Sequence, residues 1–312
     1  MRLIFAGTPA PAVTVLRSLL DSSHEVVAVL TRAPARAGRG RKLQPSRVEE
    51  LARSRGIEVL TPSSLRDAAV AARLAELAPD AIPTVAYGRL VPPELLEIAP
   101  HGWINVHFSL LPAWRGAAPV QRALMAGDEV GGVSVFRIDE GLDTGPVFGT
   151  ATRAFAPRET AGQALEALAD VGAQLLGQVL AGLEAGRVVA VAQETDGVSL
   201  APRLTVEDAQ VRFAAPALAI DRLIRAVTPA PGAWTTWAGA RLKLGPVELE
   251  PTVRDLAPGQ LWADKKRVLV GTGSHAVRLG LVAPAGKAMM QADAWARGAR
   301  LQPGALLGGE EN

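Results

Sequence analysis

The feature that most restricts this chain is a rhythm. Over residues 1 to about 185, short apolar runs alternate with segments whose apolar side chains recur at i, i+3 and i+4. Runs at 3–6, 25–31, 57–60, 81–86, 103–107 and 132–138 read as strands, and the stretches 11–20, 46–54, 65–77 and 119–126 carry the helical period. Strands separated by helices can share one sheet only through crossover connections. The pattern therefore predicts an α/β, Rossmann-like, doubly wound and mostly parallel sheet. A longer helical period over 160–186 closes this unit, with Gly186 as its stop signal.

Beyond it the rhythm breaks. Residues 190–206 carry little periodicity and are expected to connect a catalytic domain at 1–189 to a second domain at 207–312. There, a helical stretch at 215–226 precedes the turn cluster Pro229-Ala230-Pro231-Gly232. Short apolar runs at 233–237, 241–244, 268–271 and 276–281 follow, which suits a small barrel or sandwich. A chain of 312 residues is long enough to give each part its own core. The N-terminal apolar run is too short for a signal peptide, and no stretch is long and continuously apolar enough for a membrane span. A soluble, cytoplasmic, monomeric chain is expected.

Composition then narrows the chemistry. The chain has no cysteine, which excludes disulfides, thiolate nucleophiles and cysteine-based metal centres. Its four histidines are widely scattered, so no metal is expected. Catalysis is left to His, Asp, Asn, Ser or Lys. The Gly7-Thr8-Pro9 turn lacks the glycine spacing of a dinucleotide site, and no phosphate-binding loop motif occurs. That turn is expected to line one wall of a cleft. Asn105 and His107 share a face of their strand, because i and i+2 point the same way. They sit at the strand end where open α/β sheets hold ligands, although a satisfied polar pair would look the same. Asp143 lies in the Gly-flanked loop Gly141-Leu142-Asp143-Thr144-Gly145, where an Asx turn is the structural alternative. Its Asp-Thr-Gly is also the aspartic-protease triplet, but a protease needs two such carboxylates and this chain has one copy. Together the three side chains suit acyl-type transfer to an amine without a covalent intermediate. Asn105 would donate to an oxyanion, His107 would donate or relay a proton, and Asp143 would govern the charge of the imidazole.

At these residues the chain resembles the folate-dependent formyltransferases. The resemblance rests on Asn-Val-His-Phe-Ser-Leu-Leu-Pro at 105–112, Arg-Gly-Ala-Ala-Pro at 115–119 and Asp-Glu-Gly-Leu-Asp-Thr-Gly at 139–145. Phe-Ala-Gly-Thr-Pro at 5–9, Ala-Gly-Arg-Gly-Arg-Lys at 37–42 and Asp-Arg-Leu-Ile-Arg-Ala at 221–226 narrow it to the branch acting on a charged initiator tRNA. Ala-Pro-Arg at 201–203 and Ala-Gly-Lys at 285–287 extend it over nearly the whole chain. It implies 10-formyltetrahydrofolate as formyl donor, methionyl initiator tRNA as acceptor, and an OB-fold-like second domain that holds RNA. By the same resemblance Ser109, Leu110, Leu111 and Pro112 contact folate, and Val85, Tyr87 and Gly88 form another wall of its pocket. Arg36, Arg39, Arg41, Lys42 and Arg203 would contact tRNA.

Four positions depart from the family pattern: Phe108, Ala113, Leu200 and Arg203. Phe108 points away from the Asn105/His107 face if the strand is regular, so it alters packing and leaves the chemistry in place. The basic segment from Arg32 to Arg47 holds six cations and no acid, which a solvated loop could also show. The net charge of +2 does not mark a nucleic-acid binder, but from residue 203 onward 14 basic residues stand against 10 acidic ones. Two other readings compete: a formyltransferase whose acceptor is an amino sugar nucleotide or glycinamide ribonucleotide, and a folate- or RNA-binding module without catalysis. A small acceptor needs neither the basic segment nor the second domain.

Overall fold

A computed structural model describes residues 1–37 and 42–308. Contacts divide the chain into two compact units: 1–119 with 130–154 and 165–202, and 120–129 with 155–164 and 203–312.

The first unit contains β1 (Arg2–Gly7), α1 (Ala10–Leu20), β2 (Glu25–Leu30), β3 (Ala35–Ala37), β4 (Lys42–Gln44), α2 (Arg47–Ser54) and β5 (Glu58–Leu60). It continues through α3 (Ala68–Glu76), β6 (Ile82–Val85), α4 (Pro93–Leu96) and β7 (Trp103–His107). Helix α5 (Pro119–Ala126) falls mostly in the second unit. Then come β8 (Val130–Arg137), β9 (Val147–Ala154) and α6 (Ala161–Glu184), which begins in the second unit and runs on in the first. The seven-stranded sheet has the order β5-β2-β1-β6-β7-β8-β9. The first five strands are parallel, whereas β8 runs antiparallel to β7 and β9 antiparallel to β8.

Local chemistry sets the element ends. Ser46 caps α2, its Oγ accepting from Glu49 N at 3.0 Å, so the helix begins one residue later than the apolar period suggests. Asp67 caps α3 by accepting from Ala69 N at 2.9 Å, which cuts the expected 65–77 helix to nine residues. In α1 the buried residues Ala12, Val15, Leu16 and Leu19 make the single stripe that packs on the sheet. By length and composition α6 is apolar enough to cross a membrane, yet Leu168, Leu176 and Leu180 are fully buried in the protein.

Strand β9 was not expected. It has no continuous apolar run and alternates half-buried with exposed residues, as an edge strand with one wet face does. The pair β3–β4 was also unexpected. It pairs the described ends of the basic segment antiparallel, with Arg36 opposite Leu43 and Ala37 opposite Lys42.

In the second unit η1 (Glu207–Ala209), a 3-10 turn, precedes α7 (Ala217–Ala226). There follow β10 (Trp234–Trp237), β11 (Ala240–Leu244), β12 (Val247–Glu250), β13 (Leu261–Ala263) and β14 (Val268–Val270). Next come β15 (Ala276–Leu279), β16 (Leu281–Pro284), β17 (Met290–Gln291) and α8 (Ala292–Ala299). Two antiparallel sheets result, ordered β10-β11-β16-β17 and β12-β15-β14-β13. They share a core that includes Ile220, Ile224, Val270, Val277 and Trp295. The run expected over 276–281 is two strands divided at Gly280, one in each sheet.

Candidate active site

Strand β7 lies near the middle of the sheet, bonded on one side to β6, where Thr84 pairs with Asn105, and on the other to β8, where His107 pairs with Ser134. Its carboxyl end opens into a cavity of about 630 Å³, a size suited to a small-molecule ligand. Asn105, His107 and Asp143 all line it, as do Tyr87, Gly88 and Gly116. The Asn105 amide makes no hydrogen bond to protein among the described residues, so its N–H groups remain available to a ligand.

His107 is 5% exposed, and its Nε2 lies 3.0 Å from the Trp114 carbonyl oxygen. A carbonyl can only accept, so Nε2 carries the hydrogen and the neutral ring keeps its lone pair on Nδ1. That Nδ1 is 3.7 Å from Asp143 Oδ2. Burial holds the His107 pKa below its ordinary value, opposed by the Asp143 carboxylate and the Trp114 carbonyl. Burial thus favours the neutral imidazole, with Nδ1 beside a carboxylate that would stabilise a proton placed there.

Asp143 is held from two directions. Its Oδ2 accepts from Gly116 N at 2.7 Å, and its backbone adopts a φ of 52°, a left-handed conformation that Asp tolerates better than most residues. The Asx turn of this loop belongs to Asp139 instead, whose Oδ1 accepts from Gly141 N at 3.0 Å and from Thr144 Oγ at 2.7 Å. Gly145 has no room for a side chain, because a Cβ there would overlap the Arg137 carbonyl oxygen.

The structure does not gather every expected site residue. Ser109, Leu110, Leu111 and Pro112 form a turn outside the cavity lining. Ser109 Oγ donates to Ala113 O at 2.6 Å, and Leu111 N donates to Ser134 Oγ at 3.0 Å. Val85 is fully buried behind the lining. Tyr87 lines the cavity, and its buried hydroxyl has no hydrogen-bond partner among the described residues. The Gly7-Thr8 turn does not line this cavity, contrary to expectation: a Cβ at Gly7 would sit 2.8 Å from that of Ala12, so the strand end is packed against α1. Phe108 lines the cavity yet is only 8% exposed, and its ring reaches toward Gly172 of α6. Arg36 and Lys42 are exposed on the β3–β4 strand pair, and Arg203 is exposed at the start of the last segment of the second unit. Arg39 and Arg41 lie outside the described residues. Among the described residues no three His, Asp or Glu side chains converge as a metal site would require.

Several groups that shape this site had no signal in the sequence. The Trp114 carbonyl and the Gly116 N–H act through the backbone, where side-chain identity says little. Gln193 lies fifty residues beyond Asp143 in a segment without periodicity, yet hydrogen-bonds to its loop.

Residues 1–180 match the family described as Formyl transferase, and residues 203–300 match Formyl transferase, C-terminal domain. The chain is 56% identical over 307 residues to a protein of Salinispora tropica named methionyl-tRNA formyltransferase, covering 98% of this chain and all of that one. It is 56% identical over 308 residues to a protein of Thermobifida fusca with the same name, covering 99% of each. Among solved structures, an N-formyltransferase from Helicobacter canadensis in complex with folinic acid and dTDP-3-aminofucose aligns with a TM-score of 0.68. That alignment has 18% identity, covers 89% of this chain and 97% of the other, and bears on the fold alone.

Proposed function

This chain belongs to the formyl transferase family, and we propose from that premise that it moves a formyl group from 10-formyltetrahydrofolate to the amino group of methionyl initiator tRNA. The observation that carries the chemistry is the trio at the end of β7: a free Asn105 amide, a neutral His107 of fixed tautomer, and Asp143 beside its empty nitrogen. The amine attacks the formyl carbon, and the oxyanion that develops is met by the Asn105 N–H. The amine's proton passes to His107 Nδ1, where Asp143 stabilises it. It then goes to the folate nitrogen as the carbon–nitrogen bond to the donor breaks, so the formyl group and one proton exchange places. Tyr87 and Gly88 flank the donor, and the turn from Ser109 to Pro112, with Val85, supports that wall. The chain works as a monomer in the cytoplasm. Incubation with the formyl donor and either charged initiator or charged elongator tRNA tests the reading. Formylmethionine should appear on the initiator tRNA, whereas transfer only to an amino sugar nucleotide would refute it.

The pH dependence follows from His107. Transfer needs the ring neutral, so kcat/KM should fall as pH drops through its pKa, which burial places below the usual imidazole range. Asp143→Asn removes the anion that opposes this lowering, so the acid limb should move to still lower pH. A pH–rate profile of both proteins checks the direction, and an acid limb above the usual imidazole range in the unaltered enzyme would contradict it.

RNA contact is assigned to the basic segment from Arg32 to Arg47 and to the second unit. In the latter Arg241 stacks over Trp234 at 4.0 Å and Arg267 over the part-exposed Trp262 at 5.3 Å, beside Lys265 and Lys266. Replacing Arg39, Arg41 and Lys42 with Ala should weaken tRNA binding and leave folate binding unchanged. Each lost phosphate contact on a single-stranded end flattens log K against log salt by about 0.7, so three contacts should remove roughly two units of slope. An unchanged slope would return the segment to a solvated loop.

A further inference from the structure

We propose that Gln193 is a positioning residue for the Asp143–His107 pair, because its one amide joins the two loops that hold that pair. The inference rests on the functional reading above. Gln193 Nε2 donates to Asp143 O at 2.8 Å and to Gly145 O at 2.8 Å. Its Oε1 accepts from Arg115 Nη2 at 2.7 Å and from Arg115 Nε at 3.1 Å. Both amide hydrogens and the carbonyl oxygen are therefore committed to the site loops, and no other side chain among the described residues bonds to the Asp143 carbonyl.

The two loops are the ones that set the chemistry. The first carries Asp143 in its left-handed conformation, which turns Oδ2 toward His107. The second, next to Arg115, supplies the Trp114 carbonyl that fixes the His107 tautomer and the Gly116 N–H that binds Asp143 Oδ2. Trp114 is also left-handed, with φ 60°, a conformation a bulky residue keeps only when neighbours impose it. The neighbours here come from the same segment as Gln193. Ser199 Oγ accepts from Trp114 N at 2.9 Å, Ser199 O accepts from Arg115 N at 2.9 Å, and Ala201 N donates to Arg115 O at 2.7 Å. Gly116, with φ 125°, lets the chain approach so closely that a Cβ would lie 2.7 Å from Ala201 O. Val191, two residues before Gln193, pairs antiparallel with Val147 at 2.7 and 2.8 Å and fixes where the amide starts from. The segment expected to be a plain connector is thus hydrogen-bonded to both loops of the site within the first unit.

Gln193 does not line the cavity and its amide groups are all bonded to protein, so it acts through the residues it holds. Its effect runs through the placement of Asp143 Oδ2, where an error of about 1 Å can cost on the order of 100-fold in rate. The charge-carrying isostere separates its two halves. Gln193→Glu keeps the acceptor and strengthens the bond to Arg115, but loses both donors to the Asp143 loop. Gln193→Ala loses everything.

The test is steady-state formylation of methionyl initiator tRNA by the full-length chain and both variants, with thermal melting beside it. We expect kcat to fall about 10- to 100-fold in both variants, with KM for tRNA and for the formyl donor within about threefold. We also expect the acid limb of Gln193→Ala to move to lower pH, because a displaced Asp143 no longer supports the imidazolium. Near-normal kcat in Gln193→Glu would reduce the residue to a tether for Arg115 and overturn the proposal. So would a rate loss that only follows the unfolded fraction, with an unmoved pH profile. If the unaltered chain formylates no charged tRNA, the functional reading fails and takes this inference with it; if it does and Gln193→Glu matches it, the inference alone fails.

Discussion

Replacing Asn105 or His107 with Ala is expected to slow formyl transfer by about 100- to 1000-fold, the usual cost of losing an oxyanion donor or a positioned acid/base. Asp143→Asn should be comparably harmful, since a neutral amide can neither support an imidazolium nor take up a proton. The three losses have different causes, and the measurement can separate them. Asn105 makes no bond to protein among the described residues, so Asn105→Ala should melt close to the unaltered chain and lower kcat directly. His107→Ala removes the ring's hydrogen bond to the Trp114 carbonyl, a modest stability cost of about 0.5–1.5 kcal/mol, so its rate must be read well below its melting temperature. Asp143→Asn can still accept from Gly116 N through its side-chain oxygen, so it tests charge more than geometry. Because the three act on one proton and one oxyanion, double variants should lose less than the product of the single losses. Near-normal turnover in any one of them would remove that residue from the mechanism.

The second large effect is on stability. Trp103 begins the strand that ends in His107, is fully buried, and belongs to the core formed with Ile4, Leu30, Leu74 and Ile82. Its indole Nε1 donates to Leu95 O at 2.7 Å. Trp103→Ala removes the largest fully buried side chain among the described residues, opens a cavity beside β6 and takes the shortest donor from the Leu95 carbonyl, which keeps Ile98 N at 3.3 Å. The expected loss is about 3–5 kcal/mol, a large part of the roughly 5–15 kcal/mol by which such domains are stable. Urea unfolding followed by far-ultraviolet circular dichroism measures it, and a loss below about 1 kcal/mol would show that the site collapses without penalty.

What could be read before the fold was known, and what could not, follows from the range of the forces involved. Strands β1, β2, β6 and β7 are buried on both faces, so continuous apolar runs such as Leu-Ile-Phe-Ala at 3–6 marked them. Asn105 and His107 interrupt such a run with two polar residues on one face, a local signal that needs no partner to be seen. Strand β9 gave none, since its Val-Phe-Gly-Thr-Ala-Thr-Arg-Ala sequence is stabilised by pairing with β8 at the sheet edge. Helix α8 and the strands β12, β13 and β17 are short, and their burial depends on neighbours distant in sequence.

By itself, then, the sequence determined the α/β layering, the β-rich second unit, and the residue types placed at the end of β7. Periodicity and side-chain chemistry are properties of neighbouring residues in the chain. Tertiary structure alone decided that two strands run antiparallel at one edge, that the Asx turn falls to Asp139 while Asp143 faces His107, and that His107 carries its hydrogen on Nε2. It alone brought Gln193 and Ser199 to the loops of the site. Each of these depends on a backbone carbonyl, a positive φ or an amide contact across many residues. Backbone N–H and C=O groups are the same in every residue but proline, so only the folded chain determines which of them meet.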